Sequence, residues 1–564
     1  MTTVPDLLAP EPSLRIDAAQ VRRTIAFAFA TGDGADSLAA ALDQVRPPAT
    51  THDPTQFAGE LFLPELVRKT FSIKIGGRVY ASSQGYLEQI LAHPPADPDA
   101  VAFRRTILGD LARNPALRME LEQTYLELVA FREALTEPAH GSVVEEHQHR
   151  IDTLAAIRAL VVGMSSRFAG TTSGLSRIHD FGAQLHALPE FTHLTELLDY
   201  EGGLATVDAR LSVGADGSVR GFELTRVEES TASPFYRTPV GRFFTRVALF
   251  LRGYRFGELE VMARLIDRVF QPFERAAIQF VQLIGDVEFY LGALSFRDVA
   301  LSRGLTMSFA EMCAAPRDGE AEAPRREILG LFNPLLVGER GAPKTCDLVT
   351  ARHDAIVLVT GPNSGGKTRL LQAIAIAQLF AQNGLFVPAE TARLAWTDGL
   401  FVSLHHEVSA SQKEGRLGTE LLRIRELFEE VEPGDLVIVD ELCSGTNPSE
   451  AEAIIRLVLE LLAELHPQVF VTTHFLEFAA ELAASPPLAR LEFLQAALDE
   501  RHRPTYGFVA GVAKTSLAAE TAARLGVTLE ELASLVARKK ATMPDVPDLP
   551  EELTEAGAPL PVRS

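Results

Sequence analysis

The apolar run Ala355-Ile-Val-Leu-Val359 leads straight into Gly361-Pro-Asn-Ser-Gly-Gly-Lys367-Thr368, and the helix-forming stretch Arg369 to Gln382 follows. This order constrains the fold more than any other feature of the chain. A buried strand, a glycine-rich turn and a helix in succession are the building unit of a parallel sheet with helical crossovers. Glycines let backbone N–H groups face a phosphate, and the helix N-terminus adds a favourable dipole. Gly361, Pro362, Asn363, Ser364, Gly365, Gly366, Lys367 and Thr368 are therefore the candidate ATP-binding residues. Lys367 suits the β- and γ-phosphates, and the Thr368 hydroxyl suits Mg2+.

Two further strand ends carry chemistry. Asp435-Leu-Val-Ile-Val-Asp440-Glu441 is an apolar strand that finishes in two carboxylates. Asp440 is a candidate Mg2+ ligand, and Glu441 a candidate general base for water attacking the γ-phosphate. A strand ending in acids is common by itself; its place after the glycine-rich loop gives it meaning. Val469-Phe-Val-Thr-Thr-His474 is another apolar strand, ending at a histidine. His474 is a candidate catalytic residue, since its strand follows the one that carries Asp440 and Glu441. A lone strand-end histidine is more often a polar boundary residue.

Length and composition set the frame. The chain of 564 residues is too long for one ordinary domain. Its 46% hydrophobic and 23% charged residues suit a globular protein with large cores. The formal net charge of −22 argues against indiscriminate nucleic-acid coating, which needs clustered Lys and Arg. It leaves a local patch open. Cys313, Cys346 and Cys443 form no C-x-x-C pair, so neither a disulfide framework nor a zinc site is expected. No signal peptide opens the chain, and apolar runs such as that from Leu370 fall short of a membrane span, so a cytoplasmic protein is expected.

The pattern divides the chain in four. Residues 1–160 read as a helical N-terminal core region, with breaks at Arg46-Pro47-Pro48 and His93-Pro94-Pro95. Phe103 to Leu135 has helical apolar spacing. Residues 161–320 read as further helices, interrupted at Gly170-Thr-Thr-Ser-Gly174 and carrying a small β-hairpin near 205–230, around Ala215-Asp216-Gly217. Helical patterning resumes from about Val240 to Met312, before a charged connector from Asp318. Residues 325–540 alternate strand and helix as an α/β domain does, and 541–564 form a Pro- and Glu-rich, flexible tail. The fold class is thus helical (α) followed by α/β with a mostly parallel sheet.

These motifs together resemble the MutS DNA mismatch-repair family within the ABC-type P-loop ATPases. The resemblance rests on the Gly-Pro-Asn opening at Gly361, on Val387-Pro-Ala389, and on Asp440-Glu-Leu-Cys-Ser-Gly-Thr446. It continues in Thr472-Thr-His474, in Tyr506-Gly-Phe-Val-Ala-Gly511 with Lys514-Thr-Ser516, and in Asn333-Pro334. It covers roughly residues 328 to 540. What it implies is an ATPase with Mg2+, working as a homodimer that closes around mismatched or branched DNA. It also implies that a partner's signature segment closes each nucleotide; here that is Gly415, Arg416, Gly418 and Thr419, where Leu417 departs from the family's usual serine. The helices before 320 suit the family's core and lever. The family's mismatch-recognition domain, with its Phe-x-Glu wedge, has no counterpart in this sequence: Phe131, Phe256, Phe309, Phe428 and Phe475 fall in helices or the ATPase region. The hairpin near Gly217 is either a shortened DNA clamp or a structural hairpin, since its arginines and acids balance. A second function class remains, an ATP-dependent protein-interaction switch without DNA, which the net negative charge favours. A third, a chromosome-maintenance ATPase, lacks the long heptad runs it needs.

Overall fold

The structure, a computed structural model, describes residues 4–138, 143–201, 206–213, 219–228, 265–314, 325–338, 341–362, 364–404, 416–443, 447–501, 503–515 and 527–541. The helical part contains α1 (Ala18–Thr31), α2 (Ala35–Asp43), α3 (Leu63–Thr70), α4 (Gln84–Ala92), α5 (Pro98–Arg113) and α6 (Pro115–Thr136). It continues with α7 (Val143–Ser166), α8 (Ser176–His186), α9 (Pro189–Glu201) and α10 (Glu274–Ser302). Short polar residues set several of the starts. Asp17, Asp97 and Asn114 accept first-turn N–H groups of α1, α5 and α6, and proline opens both α5 and α6. The periodicity from Phe103 to Leu135 is therefore expressed as two helices, because Asn114-Pro115 ends one and caps the next.

Three departures from the sequence pattern appear here. A short hairpin, β1 (Ile73–Ile75) with β2 (Arg78–Tyr80), interrupts the N-terminal helices. It turns at Gly76 and Gly77, both at positive φ (56° and 82°). The helical pattern expected to reach Met312 stops at Ser302, and Glu311–Cys313 is a strand. The third concerns apolar length. The helical stretch Leu265–Ser302 is long and apolar enough to span a membrane by composition, yet 94% of its apolar window is buried inside the protein. Averaged over a helix, its polar residues hide from a search for uninterrupted apolar runs.

The hairpin expected near 205–230 is present as β3 (Thr206–Val213) paired antiparallel with β4 (Val219–Glu228). Its turn at Ala215-Asp216-Gly217, the connector from Asp318, Phe256 and the tail after residue 541 lie outside the described residues.

The second half builds two sheets. β5 (Glu311–Cys313), β6 (Arg326–Leu331), β7 (Cys346–Thr350) and β9 (Thr391–Ala395) form a mixed four-stranded sheet in the order β5-β9-β6-β7. The larger sheet has six strands in the order β10-β11-β12-β8-β13-β14. These are β8 (Ile356–Thr360), β10 (Leu400–Ser403), β11 (Leu436–Val439), β12 (Gln468–Thr472), β13 (Leu491–Leu498) and β14 (Pro504–Ala510). All pairings in it are parallel except β13 with β14. Helices α11 (Lys367–Gln382), α12 (Arg416–Glu430), α13 (Pro448–Leu465) and α14 (Leu476–Ala484) connect the strands, and α15 (Leu529–Ala541) follows.

The sheet is covered on both faces, which explains its near-continuous apolar strands. Val357, Val359, Leu436 and Ile438 join the core shared with α11 and the helical half. Their neighbours Ile356, Leu358, Val437 and Val439 join the opposite core, under α13 and α14. α11 is buried almost all round, because the sheet lies on one side and the helical half on the other. Arg104 of α5 ties the two halves: its guanidinium donates to the Asn383 side chain at 3.0 Å and to the Leu8 carbonyl at 2.9 Å.

Candidate functional site

The glycine-rich loop joins the central strand β8 to α11, as the sequence pattern requires. Its glycines are there for space. Gly361 and Gly366 have φ of 136° and 87°, the left-handed side that favours glycine. A Cβ on Gly361 would lie 2.8 Å from the Ala496 Cβ, and one on Gly366 would lie 3.1 Å from the Tyr506 ring. The loop closes on itself through the Gly365 N–H, which donates to the Pro362 carbonyl at 2.8 Å. Ser364 is exposed at the mouth. Asn363 lies outside the described residues.

Lys367 is buried, and its Nζ donates to the carbonyls of Gly361 (2.9 Å) and Pro362 (3.3 Å). Burial lowers its pKa, and Glu441 and Asp440 only partly oppose that. The ammonium thus rests on neutral acceptors of its own loop. Beside it, the Thr368 hydroxyl donates to one carboxylate oxygen of Asp440, and the Thr472 hydroxyl to the other. Asp440 is itself buried and anchored through its N–H to the Ser403 carbonyl at 2.8 Å.

Strand order explains this convergence. β11 and β8 both pair with β12, so their C-terminal ends, carrying Asp440 and the loop, open at the same edge with Thr472 between them. Ligands of open α/β sheets sit at this edge. The backbone N–H of Glu441 donates to Thr472 Oγ1 at 2.8 Å, and Glu441 is half-buried with φ of 49°. A non-glycine residue held there costs on the order of 1 kcal/mol, and such strain gathers at functional sites. His474 follows two residues after Thr472, half-buried, with its ring 4.2 Å from that of Phe475.

Of the signature residues, Arg416 opens α12, and Gly418 and Thr419 lie half-buried in its first turn. Gly415 lies outside the described residues.

The mouth of the loop is a cavity of about 430 Å3. Ser364, Gly366, Lys367 and Thr368 line one side, with Phe62 and Tyr506 among the other walls. Three contributors were not singled out as site residues from the sequence. Thr472 and Tyr506 lie within motifs that were noticed, but their roles depend on contacts across strands. Phe62 gives no signal at all, because it arrives from the helical half some 300 residues away. It caps α3 in a left-handed conformation, with φ of 51°.

Residues 357–540 match the family model described as MutS domain V. The likeness to the MutS family rests on this stretch of the chain. The match spans the loop, Asp440, Glu441 and His474 together. Among curated MutS-family relatives, an endonuclease MutS2 of Thermus thermophilus is 36% identical over 248 residues, covering 44% of this chain and 30% of that protein. An endonuclease MutS2 of Streptococcus uberis is 29% identical over 299 residues, or 52% of this chain and 36% of that protein. One of Thermomicrobium roseum is 33% identical over 204 residues, or 36% of this chain and 25% of that protein. The chain thus matches about a third of the length of these MutS2 proteins.

Proposed function

We propose that this chain is a P-loop ATPase that binds ATP with Mg2+, hydrolyses it, and couples ATP state to a dimeric clamp on mismatched or branched DNA. The observation that carries the reading is the corner where Lys367, Thr368, Asp440 and Thr472 meet beside an open cavity. The donor set fits the ligand. Hydroxyl and carboxylate oxygens are hard donors that suit Mg2+, and a lysine resting on carbonyls exchanges them for phosphate oxygens without stranding an anion.

In this reading Gly361 to Lys367 wrap the phosphates with backbone N–H groups and the ammonium. Thr368 and Asp440 hold the metal. Bound Mg·ATP supplies the transferable phosphoryl group and the charge that binds these residues. Glu441 takes the proton of the attacking water, and its strained backbone fixes the direction of its carboxylate. His474, at the next strand end, reads the γ-phosphate. Gly415, Arg416, Gly418 and Thr419 close the site of a second copy, which makes the working unit a homodimer. Closure and reopening swing the helical half, a domain-scale switch driven by γ-phosphate contacts. The division into a helical N-terminal core (1–160), a lever with a hairpin (161–320) and an ATPase domain (325–540) belongs to the same proposal. So does a cytoplasmic location.

A second reading is an ATP-dependent protein switch that does not touch DNA, favoured by the net charge of −22. Steady-state ATPase activity with heteroduplex, branched and homoduplex DNA, at two salt concentrations, separates the two. The clamp predicts DNA stimulation that weakens with salt. Activity indifferent to every DNA moves the reading to the protein switch. Glu441→Gln is expected to keep ATP binding and lose about 100-fold in turnover. An unchanged turnover removes Glu441 as the base.

A further inference from the structure

Beyond the C-terminal end of α11, the end away from the loop cavity, a groove of about 730 Å3 lies between α5, the end of α10 and the segments after α11 and β9. Its walls combine cations and rings in an unusual way. Arg105 of α5 lies over the Phe309 ring, 5.1 Å from its centre. Arg297 of α10 lies over the Phe386 ring at 4.7 Å. The two rings pack on each other at 4.3 Å, tilted by 30°. Trp396, the one tryptophan of the chain, lines the same groove and is half-buried.

The charges here are uncompensated. Among the described residues, neither Arg105 nor Arg297 has a carboxylate within ion-pair distance, and Arg297 Nε is buried without an acceptor. The nearby acids are engaged elsewhere: Asp298 pairs with Arg118 at 2.7 Å, and Asp110 with Arg113 at 3.0 Å. Rings take one face of a guanidinium and leave its N–H edge free for an oxyanion. In a chain of net charge −22, two such free edges in one groove mark a local site for an anion.

We infer that this groove binds single-stranded nucleic acid, with Arg105 and Arg297 on backbone phosphates and the Trp396 ring stacking a base. An acidic peptide satisfies the guanidiniums but leaves the indole face unused. A duplex keeps its base faces stacked inward. An unpaired strand offers phosphate and π-face together, the pairing that single-strand-binding grooves use. The groove is separate from the loop cavity and does not depend on the ATPase reading.

Trp396 is a built-in reporter. The full chain is titrated with a thymidine oligomer of about 12 nucleotides while its tryptophan emission is followed. Parallel titrations use AMP and poly-glutamate. Saturable quenching by the oligomer is expected, weakening as salt rises. The double variant Arg105→Gln with Arg297→Gln is expected to weaken it at least tenfold. Thr106→Glu, at the exposed rim of the groove, is expected to weaken it severalfold without touching the ring stack. Lys367→Ala is expected to leave the quenching in place, which separates this site from the nucleotide site. Flat emission with the oligomer overturns the proposal. Oligomer affinity that survives both the double variant and Thr106→Glu also overturns it. Equal quenching by poly-glutamate overturns the nucleic-acid assignment, and a response to AMP with none to the oligomer overturns the strand assignment.

Discussion

Arg15, in the helical half, and Lys367, at the glycine-rich loop, are both buried cations, and their surroundings are opposite. Arg15 donates to Asp6 at 2.5 Å and to Asp286 at 2.6 Å, and Asp286 also accepts from Tyr86 and from the Leu7 N–H. Burial alone pulls the Arg15 pKa down, but Asp286, Tyr86 and Asp6 hold it well above its ordinary value. Asp286 is pushed up by burial and held back by Arg15. This network ties the N-terminal segment to α4 and α10 and is buried throughout. Among the described residues Lys367 donates to two loop carbonyls, and its pKa is lowered because burial outweighs the pull of Glu441 and Asp440. A buried charge closed off by counter-ions holds a fold. One resting on exchangeable carbonyls beside a cavity is poised for an incoming anion.

The comparison can be broken in four ways, from the largest expected effect to the smallest. Arg15→Met strands two buried carboxylates, so urea unfolding should show a loss of about 3–5 kcal/mol. A loss below about 1 kcal/mol contradicts a closed, structural network.

His52 is a third kind of buried group, with no counter-ion among the described residues. Burial lowers its pKa from 6.5 to about 4. Because the folded value lies below the unfolded one, its neutral form's contribution is present above pH 6.5 and is lost as pH falls toward 4. The loss reaches about 3 kcal/mol, from roughly 1.4 kcal/mol per pKa unit. Stability curves of His52→Gln should be flatter than those of the parent across that window, and superimposable slopes refute the assignment.

Lys367→Ala should lower ATP affinity at least 100-fold, about 2.7 kcal/mol. Its unfolding free energy should stay within about 1 kcal/mol of the parent, since among the described residues the lysine makes no ion pair. Unchanged affinity removes the loop from nucleotide binding, and a large stability loss makes it a second structural network.

Thr472→Val deletes the hydroxyl that joins Asp440 to the Glu441 N–H. Turnover should fall about tenfold, near 1.4 kcal/mol, with little change in ATP affinity. A matched fall in affinity assigns Thr472 to binding instead of positioning.

Much of the α/β half was legible because its signals are local. Asp440 and the glycine-rich loop sit at ends of apolar runs, and those runs are strands where the pattern put them. The hairpin of β3 and β4 and the break between α7 and α8 followed from turn residues in the same way. The helical half was less legible. Asn114-Pro115 divides one continuous periodicity into two helices, a capping effect that apolar spacing does not register. The helix within Leu265–Ser302 lay where helical spacing put it, but the 94% burial of its apolar window was not legible, because Asp286 and Glu288 find partners only in the fold.

The sequence by itself determined the strand-loop-helix unit and the carboxylates at the end of β11. Each depends on residues a few positions apart, where backbone periodicity and glycine conformation decide. Only the tertiary structure decided that Thr472 bridges Asp440 and Glu441, that Tyr506 packs over Gly366, and that Phe62 reaches the loop mouth. It alone brought Arg105 and Arg297 onto stacked rings beside Trp396. These contacts join elements tens to hundreds of residues apart, and the order of strands in the sheet and the docking of α5 and α10 set them. No local pattern in the chain carries that information.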